Sequence, residues 1–404
     1  MPLVFVHGVA TRPSAQHAAM VKQRDALFRS LVFKRDDLTI VNPDWGSFAA
    51  KFGDDLPWLP APRGNEIFDV GDGGPPGGLG PEALDGRLAL GTIAGTDAEQ
   101  AIDLVAMAAL DAAIRDAALQ FNDPDAAATG DAMRLAQASA ALLEAKGIGR
   151  KDGPTGIGTL AAADNGAFAD ALDVELARAG GPVEAYGIGD TVRGAIGHLV
   201  GLVGNGVSDL VLKATRRDLS RAVSLFLGDI LVYLRERDTP GDQGTRARIF
   251  APIQAALVAG ATAPRAAGEP FVVVGHSLGG VILYDLLTDD AARAELAEAI
   301  GAPIRIDALF TVGSQPGFFA DLGLYPGGRP SDGVKLPMPE GVRHWMNVFD
   351  YTDVFSFQCG QAFEGVRDFG YDTVTDLLRA HGAYFLRPSF YGRMRARLAE
   401  LDRA

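Results

Sequence analysis

The chain has 404 residues, 37 basic and 51 acidic, for a net charge of −14 at pH 7. That sign excludes a general nucleic-acid binder, which needs a basic face to displace counterions from phosphate. At 48% hydrophobic and 22% charged residues the composition excludes global disorder and allows one large domain with an insertion, or two domains.

A lone cysteine, Cys359, excludes an internal disulfide and a zinc site built from several thiolates, and no metal or cofactor is expected. The N-terminus, MPLVFVHG, carries neither a basic segment nor a long apolar one, so a cleaved secretion signal is not expected and a cytoplasmic location is.

In chain order, Leu3 to Val6 is an apolar strand ending in His7-Gly8. A helix-compatible stretch from Ser14 to Phe33 follows, then a second strand from Leu38 to Val41. Asp72 to Gly80, DGGPPGGLG, holds two prolines and lacks a Lys-Ser/Thr ending, so it reads as a connector and not as a phosphate cradle. The next hundred residues are alanine-rich with helical period. Thr96 to Glu99 has capping-box spacing ahead of a run through Leu119, and Gly147 closes another run at Lys146. Gly194 to Leu212 is the stretch nearest to a membrane span, but His198, Asn205 and Asp209 interrupt it, and a spanning helix needs about 20 predominantly apolar residues. A close-packed helix or hinge is expected there, with transient contact with a membrane surface left open and no transmembrane span.

Helical pattern resumes from Thr215, with an apolar face through Leu219, Val223, Phe226, Ile230 and Tyr233. Strands then recur at Phe271, at Ile304 to Val312 and at Trp345 to Phe349. The alternation predicts an α/β fold: a mostly parallel sheet with helices on both faces, residues 1–46 and 215–404 forming the core and 47–214 a helical cap inserted into it.

The chemistry centres on Gly275-His276-Ser277-Leu278-Gly279, a G-x-S-x-G turn between the strand FVVV and a helix. Small residues let the chain reverse sharply, which predicts a strained, exposed Ser277 at the carboxyl edge of the sheet. Leu278 N–H stands at the helix start, where the dipole favours an oxyanion. A serine nucleophile needs a base, and elimination among the six histidines selects it. His276 should be turned away by the elbow, His7 serves loop geometry, His17 and His198 precede the elbow in helical context, and His344 begins a strand at the wrong edge. His381 remains, beside Gly382 after the last strand pattern.

The acid should lie between them, just past a strand, and Asp350 and Asp353 both qualify. Asp353 is preferred because Asp350 sits at the strand end, suited to tying down a turn; Glu364 is a distant third. The loop after the first strand, His7-Gly8-Val9, leaves the sheet at the same edge, so Val9 N–H can join Leu278 N–H at the oxyanion.

These segments together resemble an α/β-hydrolase of the lipase or esterase type. VFVHGV is similar to that superfamily's oxyanion strand and loop, FVVVGHSLGG to its nucleophile elbow, FTVGSQP to the strand and loop that often read G-S-P, NVFDYTDV to the acid loop and HGAYF to the histidine loop. The likeness covers the two ends of the chain, roughly half of it. It implies Ser277 as nucleophile, Asp353 as acid, His381 as base, and Val9 and Leu278 as oxyanion donors. Two departures stand out: the chain begins at the oxyanion strand, so the superfamily's first two strands have no counterpart in it, and GSQP replaces GSP.

Substrate choice in such folds lies in cap and loops. The apolar cap and the aromatic-rich Trp45, Phe48, Phe52, Trp58 and Leu59 suggest a small-molecule or lipid ester with an apolar acyl group. Acyl transfer or thioester hydrolysis by the same triad, and a noncatalytic binding protein that keeps the fold, are the alternatives.

Overall fold

The computed structural model describes residues 2–52, 90–119, 126–148, 153–162, 164–179, 188–204, 209–237, 244–266, 268–330, 334–373 and 380–401. Its centre is a six-stranded parallel sheet. The strands are β1 (Pro2–Val6), β2 (Thr39–Val41), β3 (Val272–His276), β4 (Ala308–Val312), β5 (Trp345–Asp350) and β6 (Val366–Tyr371), in the spatial order β2-β1-β3-β4-β5-β6. Side chains alternate between faces along each strand. Leu3, Phe5, Val272 and Val274 therefore enter one apolar cluster and Val4, Val6 and Val273 the other. Burial of both faces is why the strands read as continuous apolar runs.

On the first face lie α1 (Ala15–Leu27) and α13 (Pro388–Leu401), with Leu27, Phe28, Phe390, Tyr391 and Met394 in the cluster. Ser14 caps α1 by accepting from His17 N–H at 3.0 Å. On the second face lie α8 (Thr245–Thr262), α9 (Leu278–Thr288), α10 (Asp290–Ile300) and α11 (Pro316–Asp321), with Ile253, Leu257, Ile282, Leu286, Leu296 and Phe319 buried.

The middle of the chain is helical, as expected: α2 (Leu90–Thr96), α3 (Ala98–Leu119), α4 (Ala126–Lys146), α5 (Asn165–Ala179) and α6 (Ile188–Gly204). Gly147 follows α4 at φ 69°, as its closing role requires. At the start of α3, Asp97 accepts from Gln100 N–H at 2.9 Å; the side chain of Thr96, the expected capping residue, lies outside what is described.

The apolar residues of α2 to α6 join the first cluster, beside α1 and α13, because alanine-rich faces bury best against another helical layer. Asp103 of α3 fixes the contact. It is fully buried and accepts from Arg387 Nε at 2.5 Å and from Ser389 N–H at 3.0 Å. Residue 215, where the core was expected to resume, falls inside one continuous helix, α7 (Asp209–Arg237). The connector Asp72–Gly80, with Trp58 and Leu59, lies outside the described residues. No helix among the described residues is long and apolar enough to cross a membrane.

Candidate active site

The turn between β3 and α9 holds Ser277 at φ 53°, ψ −131°. A left-handed non-glycine residue costs on the order of 1–3 kcal/mol, so the surroundings must hold it in place. They do so from both sides: Ser277 N–H donates to Val312 O at 3.0 Å, and Ser314 Oγ donates to Ser277 O at 2.6 Å. The GSQP loop is thereby a brace for the elbow. Its Gln315 also donates to Phe355 O at 2.7 Å, linking the brace to the acid loop.

The flanking glycines are there because backbone passes against backbone. A Cβ on Gly279 would lie 2.5 Å from Val6 O, and one on Gly275 2.8 Å from Gly280 Cα. A Cβ on Gly8 would lie 2.5 Å from Ser277 Cβ and 3.2 Å from Ser277 Oγ. The loop after β1 therefore lies directly against the serine, as the sequence implied. Among the described residues, no acceptor takes the N–H of Val9 or of Leu278.

His381 lies in a short helical turn, α12 (Ala380–Ala383). Its Nε2 is 2.7 Å from Ser277 Oγ, and its Nδ1 is 2.9 and 3.1 Å from the two Asp353 oxygens. With Nδ1–H donating to the carboxylate, Nε2 is the free acceptor for the serine proton. Asp353 also accepts from Phe355 N–H and from Tyr384 O–H, each at 3.0 Å. Burial alone would raise its carboxyl, but the hydrogen bond and charge of His381 and the two further donors outweigh burial and hold it below the ordinary carboxylate value.

Asp350 does the other job expected of it: its oxygens accept from Thr352 N–H at 2.6 Å, Thr352 Oγ1 at 2.7 Å and Thr373 N–H at 2.5 Å. Glu364 is exposed. His198 pairs with Asp111 at 3.1 Å, and His7 stacks on Trp45, whose Nε1–H donates to His7 O at 2.8 Å. Trp45 is thus core packing.

Two expectations fail here. Ser277 is not exposed; only 1% of its surface is open. Phe226 of α7 and Phe355 pack edge-on against the His381 ring, at 5.9 and 5.6 Å, and lie 4.4 Å from each other, so among the described residues α7 and the loop after β5 lie beside that ring. Nor is His276 turned away. Its ring lies 5.0 Å from that of His381 and 5.2 Å from that of Phe385, and its Nε2–H donates to His381 O at 2.7 Å, holding the His381 backbone. Sequence reasoning also passed over Tyr384 and Ser314; a tyrosine three residues after the histidine and a serine in a G-S turn were the available signals.

Burial lowers His7 from 6.5 to about 4, and burial together with His381 lowers His276 from 6.5 to about 3. Both folded values lie below the unfolded one, so the unfolded chain takes up protons first as pH falls. The stability this confers is complete above pH 6.5 and is lost through the window below it, at up to about 2.7 kcal/mol per pH unit for the pair. Urea unfolding at pH 7 and pH 5 should show a smaller loss of stability in His276→Gln than in wild type. An equal change in both would contradict the assignment.

No protein-family model, no curated protein and no solved structure matches the chain.

Proposed function

We propose that the protein is a serine hydrolase of the α/β-hydrolase type that cleaves a carboxylic ester through an acyl-enzyme on Ser277. The observation that carries this reading is the continuous relay from Ser277 Oγ through His381 to Asp353, set on a strained turn between β3 and α9. A serine with only a packing role does not require a left-handed backbone or a base aligned by a buried carboxylate.

In the first half-reaction His381 Nε2 takes the Ser277 proton as Oγ attacks the ester carbonyl. The oxyanion that forms accepts from the N–H groups of Leu278 and Val9. Asp353 steadies the imidazolium, which then protonates the departing alkoxide as the C–O bond breaks. Water, deprotonated by the same imidazole, attacks the acyl-enzyme, and Ser277 leaves with the proton from His381. Every step uses groups of this chain, and the reading requires no cofactor or metal.

The rings of Phe226 and Phe355 beside the base favour an apolar acyl group. A series of p-nitrophenyl acetate, butyrate, octanoate and laurate should therefore give a higher kcat/KM for octanoate or laurate than for acetate. Acetate turned over best would contradict the apolar acyl preference. Running the series beside thioesters and phospholipids, with and without an alcohol acceptor, separates ester hydrolysis from thioester cleavage and from acyl transfer. Failure to turn over any of them would favour a noncatalytic binding role.

A further inference from the structure

The helix α7 carries a carboxylate that the relay does not use. Asp229 is fully buried and collects four hydrogen bonds from two distant segments. Ala10 N–H donates to Oδ2 at 2.7 Å, Arg12 donates through Nη1 at 3.0 Å and Nη2 at 2.6 Å, and Ala50 N–H donates to Oδ1 at 2.9 Å. Arg12 Nη2 also reaches Ala50 O at 2.8 Å, which closes a clamp around the loop that follows β1. Burying a carboxylate is costly unless it is paired and hydrogen-bonded, and this one is spent on holding a loop.

The held loop is the one against Ser277. Ala10 stands at φ 57°, a left-handed conformation that an alanine does not adopt without support, and its N–H is the one Asp229 takes. Val9, whose N–H is an oxyanion donor in the reading above, immediately precedes it. One turn back along α7, Phe226 lies against the His381 ring, and residues three apart share a helix face. Gly228, between them, lets α7 come close to residues 50 and 52: a Cβ there would be 2.7 Å from the Phe52 ring and 3.0 Å from Ala50 Cβ. The same turn of α7 thus touches the base and fixes the oxyanion loop.

We infer that Asp229, with Arg12, is a positioning residue that sets the Val9–Ala10 backbone for oxyanion binding and makes the oxyanion hole depend on α7 being docked. The inference rests on the ester-hydrolase reading. Farther along α7, Tyr233 and Arg237 both bond Asp285 of α9, each at 2.5 Å, so the helix has a second anchor that does not involve the site. Loss of the Asp229 clamp should therefore loosen the oxyanion loop while leaving α7 attached to the core.

The test uses the full chain with Asp229→Asn, which keeps the shape but removes the charge that pairs with Arg12. Active sites are counted with a fluorophosphonate. Then kcat and KM for p-nitrophenyl octanoate, and the inhibition constant of an alkyl trifluoromethyl ketone, which forms a tetrahedral adduct on the serine, are measured per active site. The expected result is a fall in kcat of about 10- to 100-fold with KM within about threefold, since misplacing one oxyanion donor weakens the transition state and not the ground state. Ketone affinity should fall by a similar factor. A merely structural role would lower the number of active sites and leave these per-site values alone, and that outcome overturns the inference. If Asp229→Asn does not fold, Arg12→Gln carries the same measurements from the partly exposed side of the clamp. Wild-type protein that neither binds the fluorophosphonate nor cleaves the ester overturns the hydrolase reading itself; active wild type with unchanged variants overturns only the role of Asp229.

Discussion

Ser277→Ala is expected to lower ester turnover by on the order of 10⁴- to 10⁶-fold, with the fold retained. The size follows from what is removed. The attacking oxygen is the only Ser277 side-chain atom in the relay, 2.7 Å from His381 Nε2, and no other described hydroxyl shares a hydrogen bond with that nitrogen. The fold should survive because the bonds that brace the elbow, from Ser314 Oγ and to Val312 O, involve the Ser277 backbone. The positive φ of Ser277 is also no worse for alanine than for serine, and Ala10 stands at a positive φ as well. Circular dichroism and thermal unfolding close to wild type, with turnover at background, is the expected pair of results. Retention of more than about a tenth of the activity would mean that Ser277 is not the nucleophile.

Asp353→Asn should cost on the order of 10⁴-fold in kcat, and Asp350→Asn far less. Asparagine at 353 would present its amide nitrogen to His381 Nδ1 and favour the tautomer whose proton sits on Nε2. The imidazole would then face Ser277 as a donor and could not take its proton. The imidazolium of the transition state would also lose its counter-charge. Asp350 touches neither partner, and its work is to tie Thr352 and Thr373 to the end of β5. Removing that charge should cost about 1–3 kcal/mol of stability with kcat within about tenfold. Equal effects of the two substitutions on kcat would contradict the assignment of the acid.

The parts of the molecule legible in the sequence were those where local pattern and final structure obey the same rule. Val272 to Val274 read as strand because a strand buried on both faces must be apolar throughout, and the glycines around Ser277 marked the elbow because only they allow its close backbone contacts. Asp353 followed from its place in a loop just past a strand, and His381 from elimination among the histidines, although it stands in the short helical turn α12. Less was legible where long-range contacts decide. β6 went unread because VRDFGY is a half-exposed edge strand with charged and polar residues among the apolar ones. His276 was misread because the direction of its ring depends on His381, 105 residues away. The burial of Ser277 depends on neighbours such as Gly8 and His381, and a ring beside the base is that of Phe226, whose helical spacing announces an apolar face but not what that face meets. Asp229 reads as one more charge on a helix, and its partners lie 179 to 219 residues away. The alanine-rich helices were recognised as helices, while their destination, against α1 and α13, was set by which surface remained uncovered.

The most direct measurement is the site of covalent attack. The protein is treated with a fluorophosphonate, digested, and the modified peptide located by mass spectrometry. One adduct is expected, on Ser277, formed in wild type, absent in Ser277→Ala and strongly slowed in Asp353→Asn. An adduct on another residue, or undiminished labelling of Ser277→Ala, would contradict Ser277 as the nucleophile.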